Sequence, residues 1–328
     1  MAILKLGEEE IRRAVTMAEA VSAVEEAFAA LARGEARLPD VINLDIPEAH
    51  GEVHVKGAHL KGAPVFVIKI ASGFYDNPEK GLPSGSGLML AFDATTGFPA
   101  ALLLDNGYLT DLRTGAAGAV AAKVLSKPEL TKVAVIGTGI QARFQLRALA
   151  VVRDIPRVAM WGRTVAHAEQ AAEEMADELD ANVRVATSIE TALRGADLII
   201  TVTPSREPLV EANWVERGAH ITAVGSDGPD KQELDVGVLD RASLIVADRL
   251  SQCLQLGEIH HAVEAGVISA EDVAGELGEV IIGQVPGRTD EHQITVCDLT
   301  GVGVQDAAIA LLAIQKAKKM GLGEPVEG

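Results

Sequence analysis

The residues with the clearest chemical meaning lie in Lys132-Val133-Ala134-Val135-Ile136-Gly137-Thr138-Gly139-Ile140-Gln141-Ala142. Val133–Ile136 is short, apolar and Val-rich, the pattern of a buried strand. A Gly-x-Gly-x-x-Ala turn follows, and the stretch to Val152 then reads as a helix. Gly137 allows the tight turn, Gly139 lets the backbone approach a pyrophosphate, and Ala142 is small enough for the helix to pack on the sheet. The first turn of that helix offers unpaired N–H groups and a partial positive charge, so Thr138, Ile140 and Gln141 join the candidate phosphate site. An ordinary strand–helix turn is the bland alternative. The strand before and the helix after favour a dinucleotide.

The acid that normally holds the adenosine ribose, about 20 residues further on, is missing from Met160-Trp161-Gly162-Arg163-Thr164. Arg163 and Thr164 can hold a 2′-phosphate, which would favour NADP, or Arg163 can stack on adenine. Thr203, in Thr201-Val202-Thr203-Pro204-Ser205, and Val224 and Ser226, in Val224-Gly225-Ser226-Asp227-Gly228-Pro229, follow later strands and are expected to line the cofactor cleft. Asp227 would stand near the nicotinamide and exchange a proton with an amine or imine. Its bland alternative is a turn-forming Asp.

A second group is cationic. Lys69 lies inside the apolar run Val65-Phe66-Val67-Ile68-Lys69-Ile70, where a lysine is costly to bury without a partner or a task. His54 and Lys56 alternate along a strand and share one face. Arg113, followed by Thr114, precedes a small-residue helix, and arginine suits a two-point grip on a carboxylate. Singly, each fits an ion-paired surface residue. Together they suggest an anion pocket in the first half of the chain.

The elements that must position these residues form two groups. Helices are expected over Ile11 to Leu31, a turn at Gly34 to Pro39, short β-runs from Val41 to Ala71, and a loop from Gly73 to Gly87. Strands follow at Leu88–Asp93 and Ala100–Asp105, then an Ala-rich helix at Asp111–Leu125. From Lys132, strands and helices alternate through Leu244–Ala247, which implies a Rossmann-type doubly wound parallel sheet. Thr300 to Met320 reads as a long helix returning to the first domain. The α/β chain thus divides into a dinucleotide-binding domain, 126–299, and an α+β substrate-binding and dimerisation domain, 1–125 with 300–328.

Composition narrows the partners. The 328 residues include 48% hydrophobic and 3% aromatic, so a core must come from Ala, Val, Leu and Ile. A net charge of −18 disfavours nucleic acid and anionic membranes and gives weight to cations set in apolar runs. Cys253 and Cys297 have no metal-ligand spacing and read as reduced thiols in a cytoplasmic protein. No metal is expected, and the N-terminus lacks the apolar core of a signal peptide.

Four motifs carry a resemblance: Gly137-Thr138-Gly139-Ile140-Gln141-Ala142, Leu109-Thr110-Asp111-Leu112-Arg113-Thr114, Gly225-Ser226-Asp227-Gly228-Pro229 and Gly301-Val302-Gly303-Val304-Gln305-Asp306. Together they resemble the ornithine cyclodeaminase/mu-crystallin family over nearly the whole chain. The resemblance implies a homodimer whose second domain binds a nicotinamide cofactor. It assigns Lys69 and Arg113 to the substrate carboxylate, Asp227 to the reacting carbon, Gly139, Ile140 and Gln141 to the pyrophosphate turn, and Thr114 to the neighbourhood of the cofactor.

The family spans redox-neutral cyclodeaminases, alanine dehydrogenases, ketimine reductases and non-catalytic crystallins. Lys56 would repel the distal ammonium of ornithine and, with His54, attract a second carboxylate. Lys69 to Pro78, Gly81 to Ser84 and Leu103 to Thr110 resemble a branch linked to ectoine utilisation that includes iminosuccinate reductases. That branch implies NAD(H) and reduction of iminosuccinate to L-aspartate, with Lys69 or Asp227 moving the proton. The other activities of the family stay as alternatives.

Overall fold

The computed structural model describes residues 2–327 and divides into two compact units, 1–113 with 302–328, and 114–301. In the first unit the chain runs through β1 (Ala2–Gly7), α1 (Glu8–Ala14), α2 (Met17–Ala32), β2 (Ala36–Arg37), β3 (Ile42–Ile46), β4 (Gly51–Leu60), β5 (Val65–Phe74), β6 (Gly85–Asp93) and β7 (Pro99–Leu104). The next helix, α3 (Tyr108–Leu125), contains the boundary between the units.

The second unit is built from β8 (Val133–Ile136), α4 (Ile140–Val152), β9 (Arg157–Trp161), α5 (Val165–Leu179), β10 (Asn182–Val185), α6 (Ile189–Leu193), β11 (Leu198–Thr201), β12 (His220–Ala223), α7 (Val236–Arg241), β13 (Leu244–Ala247), α8 (Leu250–Cys253), α9 (Gly257–Glu264), β14 (Gly275–Glu276), α10 (Leu277–Ile281) and β15 (Thr295–Asp298). The chain closes in the first unit with α11 (Gly303–Met320) and β16 (Glu324–Glu327).

Most strands of the first sheet are antiparallel, in the order β16-β1-β7-β6-β5-β4-β2, with β3 also on β4. Its two faces differ. Val67, Met89, Ala91 and Leu103 are buried on the face that α11 covers. Phe66, Ile68, Ile70, Leu88, Leu90 and Phe92 alternate with them and remain half-buried on the other. Gly303 brings α11 onto β4 at a distance no side chain permits, since a Cβ there would lie 2.4 Å from the Gly57 carbonyl oxygen. The loop expected at 73–87 is found at 75–84, shortened because β5 runs to Phe74 and β6 begins at Gly85. The N-terminal residues form the strand β1, paired with β7 and β16.

The second sheet is entirely parallel, in the order β10-β9-β8-β11-β12-β15-β13-β14. Its central strands β8, β11 and β13 are almost wholly apolar because both faces are covered. Val133, Val135, Leu198 and Ile200 pack with Leu146 and Leu149 of α4 and Met175 of α5. Ala134, Ile136, Ile199 and Ile221 pack on the opposite side with Leu193, Leu239 and Ile259. This is a doubly wound, Rossmann-type α/β arrangement. Strand order reverses sense at β8 and β11, where such sheets bind ligands beyond the carboxyl ends. Among the described residues no helix is long and apolar enough to cross a membrane.

Candidate active site

In the first unit the predicted cations come together inside the protein. Lys56 and Lys69 face each other across the antiparallel β4–β5 ladder, and antiparallel partners point to the same side. Lys56 and Arg113 are each 6% exposed and Lys69 is 2% exposed, so none of them points into bulk water. The counter-charge of Lys69 and Arg113 is Asp306, fully buried in the first turn of α11. Its carboxylate lies 3.4 Å from Lys69 Nζ and 3.0 Å from Arg113 Nε. Arg113 Nη1 also donates to Gln305 Oε1 at 2.7 Å. Because the guanidinium can only donate, that bond fixes the amide orientation, and Gln305 Nε2 is left buried with no hydrogen-bond partner among the described residues.

Burial pushes the Lys69 ammonium down to about 7. Asp306 opposes the shift, while Arg113 and Lys56 add to it. Lys69 is therefore a group that exchanges a proton near neutrality, held beside a carboxylate and two further cations. His54 shares the strand face of Lys56: Nδ1 lies 2.6 Å from Asn43 Oδ1, while Nε2, 3.6 Å from Glu52, is buried with no hydrogen-bond partner among the described residues.

The second unit carries the candidate phosphate turn. Gly137 adopts φ +123° and its N–H bonds the Trp161 carbonyl at 2.9 Å. Gly139 is the N-cap of α4, no side chain caps that helix, and an added Cβ at Gly139 would meet nothing within 4 Å. Open space before uncapped N–H groups fits a pyrophosphate. The Thr138 carbonyl is tied to Arg143 at 2.8 Å, and Ile140 and Gln141 open the helix, Ile140 exposed. Arg163 is exposed beyond β9, and Thr164 is the N-cap of α5 with no side-chain cap bond. The Thr114 carbonyl accepts from Gln145 Nε2 at 3.0 Å.

The two later turns hold the remaining candidates. Thr203 donates through N and Oγ1 to Glu233, at 2.6 and 2.7 Å. Val224 is 8% exposed, and buried Ser226 donates to the Lys231 carbonyl. Asp227 is partly exposed and pairs with Lys231 at 2.7 Å. Cys253 and Cys297 are free and buried. Among the described residues, His260, His261 and Glu264 on α9 are close enough to share a metal ion. His261 and His260 bond the carbonyls of Lys231 and Leu254.

Sequence reasoning named Asp306 and Gln305 only within a motif, and gave Glu233 and Lys231 no role. An acid within the apolar run that starts at Gly303 is the same kind of signal that singled out Lys69. Glu233 carries no such mark, because its partners are far away in the chain.

The chain is similar to known proteins along nearly its whole length. A Rhizobium meliloti protein described as a dehydrogenase is 49% identical over 98% of each chain. An alanine dehydrogenase of Archaeoglobus fulgidus is 41% identical, covering 100% of this chain and 99% of its own. An iminosuccinate reductase of Paracoccus denitrificans is 36% identical over 99% and 100%. Among solved structures, an archaeal alanine dehydrogenase dimer with bound NAD superposes with a TM-score of 0.94 at 40% identity, covering 100% and 99%. A Thermococcus litoralis Δ1-pyrroline-2-carboxylate reductase in complex with NADH and L-proline gives 0.95 at 32% identity, covering 99% and 100%. The sequence model of one family matches residues 4–321, and the chain belongs to that family, the ornithine cyclodeaminase/mu-crystallin family.

Proposed function

We propose that this protein is an NAD(H)-dependent oxidoreductase acting on C=N and CH–NH2 bonds, and that its substrate is a dicarboxylic imine: iminosuccinate, NADH and a proton give aspartate and NAD+. The relatives, which include an amino-acid dehydrogenase and imine reductases, support the reaction class. The structures with NAD and NADH support the cofactor, and the open, uncapped start of α4 fits it.

The observation that carries the substrate is the burial of three cations in the first unit, Lys56 and Lys69 paired across β4 and β5, with Lys69 and Arg113 against Asp306. Buried guanidinium and ammonium groups are costly unless paired and hydrogen-bonded, and carboxylates are the ligands that satisfy them best. Arg113 and Lys69 hold the α-carboxylate, Gln305 Nε2 gains an acceptor, and Lys56 holds the second carboxylate. His54, whose Nε2 is buried without a hydrogen-bond partner among the described residues, can add to that grip.

The nicotinamide supplies the hydride. Lys69 delivers the proton that makes the imine a better acceptor, and in the reverse direction its neutral form takes it back. Asp227 is the second group able to relay that proton. The protein works as a homodimer, consistent with the solved alanine dehydrogenase dimer and with the half-buried apolar face of the first sheet. The alanine dehydrogenase relative favours a second reading, in which the imine of pyruvate is reduced to alanine.

Oxaloacetate, pyruvate and glyoxylate, each with ammonia, should be tested against NADH and NADPH. Fastest oxidation of NADH with oxaloacetate and ammonia is expected. NADH oxidation confined to pyruvate and ammonia would reject the dicarboxylate pocket and establish the second reading. NADPH as the better donor would assign Arg163 to a 2′-phosphate.

A further inference from the structure

The chemistry above leaves the fully buried acids of the second unit without a role, Glu233 among them. Glu233 lies between β12 and α7 and is 0% exposed. Its Oε1 accepts from Thr203 N and Thr203 Oγ1 at 2.6 and 2.7 Å, and its Oε2 accepts from Gly225 N at 2.9 Å. Thr203 stands in the turn after β11 and Gly225 in the turn after β12. Those strands are neighbours, registered from Leu198 against His220 to Thr201 against Ala223. One carboxylate therefore joins the two turns that leave the carboxyl ends of adjacent parallel strands.

The joint leaves no spare room. A Cβ at Gly225 would lie 2.2 Å from the Thr203 carbonyl oxygen and 2.5 Å from Glu233 Oε2. Glu233 is itself held from both sides. Its N–H and that of Leu234 donate to Glu258 at 2.8 and 3.0 Å, and its carbonyl accepts from Leu209 and Val210 at 2.7 and 3.0 Å. A carboxylate with three donors converging on it, anchored through its own backbone, is built as a rigid brace. In this sheet the phosphate turn follows β8 and Arg163 follows β9 on one side, while β11 and β12 lie on the other. A dinucleotide laid across the switch point places its nicotinamide half over β11 and β12.

We infer that Glu233 is a positioning residue for the nicotinamide half of the cofactor, clamping the turns 202–205 and 224–229 against each other. It touches neither substrate nor reacting atoms. It acts through Thr203 and through the turn that carries Val224, Ser226 and Asp227. The inference rests on the NAD(H) reading.

The test compares NADH with ADP-ribose, which lacks the nicotinamide, by titration calorimetry on the full-length protein and its Glu233→Gln variant. The Gln amide has one acceptor end and one donor end, so it cannot accept from both turns. NADH affinity is expected to fall at least tenfold while ADP-ribose affinity stays within twofold. Equal loss of both ligands would make Glu233 a support for the fold alone and overturn the inference, as would no loss of either. A wild-type protein that binds neither ligand would sink the cofactor reading and this inference with it. Thr203→Val, which keeps the backbone bond and removes only the hydroxyl donor, covers the case in which Glu233→Gln does not fold. It should weaken NADH about threefold to fivefold and spare ADP-ribose. Equal affinity of Thr203→Val and the wild type for NADH would overturn the clamp.

Discussion

Replacing Asp306 with Asn gives a direct test of how the first unit sets its proton chemistry. The carboxylate lies 3.4 Å from Lys69 Nζ. At that separation two unit charges attract by about 5 kcal/mol at an effective dielectric near 20, and by about 1 kcal/mol in bulk water. Since one pKa unit is worth about 1.4 kcal/mol, the carboxylate raises the Lys69 pKa by roughly one to three and a half units. The attraction favours the ammonium, so Asp306→Asn must lower the pKa from its present value of about 7. The burial of Lys69 argues for a shift of more than the lower bound. In amino-acid oxidation the neutral amine accepts the proton, so kcat/KM for aspartate with NAD+ should rise through pH 7 in the wild type. In Asp306→Asn the same limb should appear at about pH 6 or below. The falling limb of imine reduction should move the same way. Initial rates of NADH formation across pH 5 to 9 measure this, with NADH affinity confirming that the variant is folded. A limb that stays within a few tenths of a unit of the wild type, in a folded variant, would refute Lys69 as the titrating group.

Lys56→Gln should raise KM at least tenfold for the imine of oxaloacetate while changing that for the imine of pyruvate less than threefold, which steady-state kinetics on the two substrates will measure. Arg113→Lys keeps the charge but loses the fork that reaches both Asp306 and Gln305, so kcat/KM should fall about a hundredfold, close to 3 kcal/mol of transition-state stabilisation. His220 is held neutral by burial and by Arg288, with its pKa pushed down to about 3. The unfolded chain takes up that proton below about pH 6.5, so this contribution to stability is complete above pH 6.5 and is lost as pH falls toward 3, by roughly 1.4 kcal/mol per unit. Urea unfolding of wild type and His220→Asn should therefore show a stability difference that shrinks by about 2 kcal/mol between pH 7 and pH 5.

What the sequence made legible was local. The strand, turn and helix at 133–152 read correctly because every residue of that signal lies within one supersecondary unit, with β8 and α4 starting and stopping close to the expected points. Lys69 was legible because a charge inside an apolar run contradicts its surroundings. β1 was not, because its residues look amphipathic alone and become a strand by pairing with β7 near residue 100 and β16 near 325. β15 escaped for a related reason: Thr295–Asp298 is short and polar-ended, and only its place between β12 and β13 makes it a central strand. The role of Asp306 depends on α11 lying against β4 and β5, a contact no spacing within Gly301 to Asp306 encodes. Glu233 was invisible for the same reason, since its three donors sit in Thr203 and Gly225, beyond any periodic pattern.

Asp306 also explains how the first unit can hold its cations before any substrate arrives. Three buried positive groups repel one another, and Lys69 answers by giving up its proton more readily than an exposed lysine does. The carboxylate from α11 pairs with Arg113 and favours the charged form of Lys69, whose pKa lies at about 7. A second resident acid would hold Lys69 fully charged and compete with the substrate for Arg113. No acid would leave Lys69 neutral and unable to give a proton to the imine. Asp306 sits between those limits, and in the proposed reaction an incoming dianion would raise the Lys69 pKa further at the moment a proton is needed. If the charge of the substrate helps in this way to protonate Lys69, a neutral isostere of one carboxylate should slow reduction beyond its loss of binding.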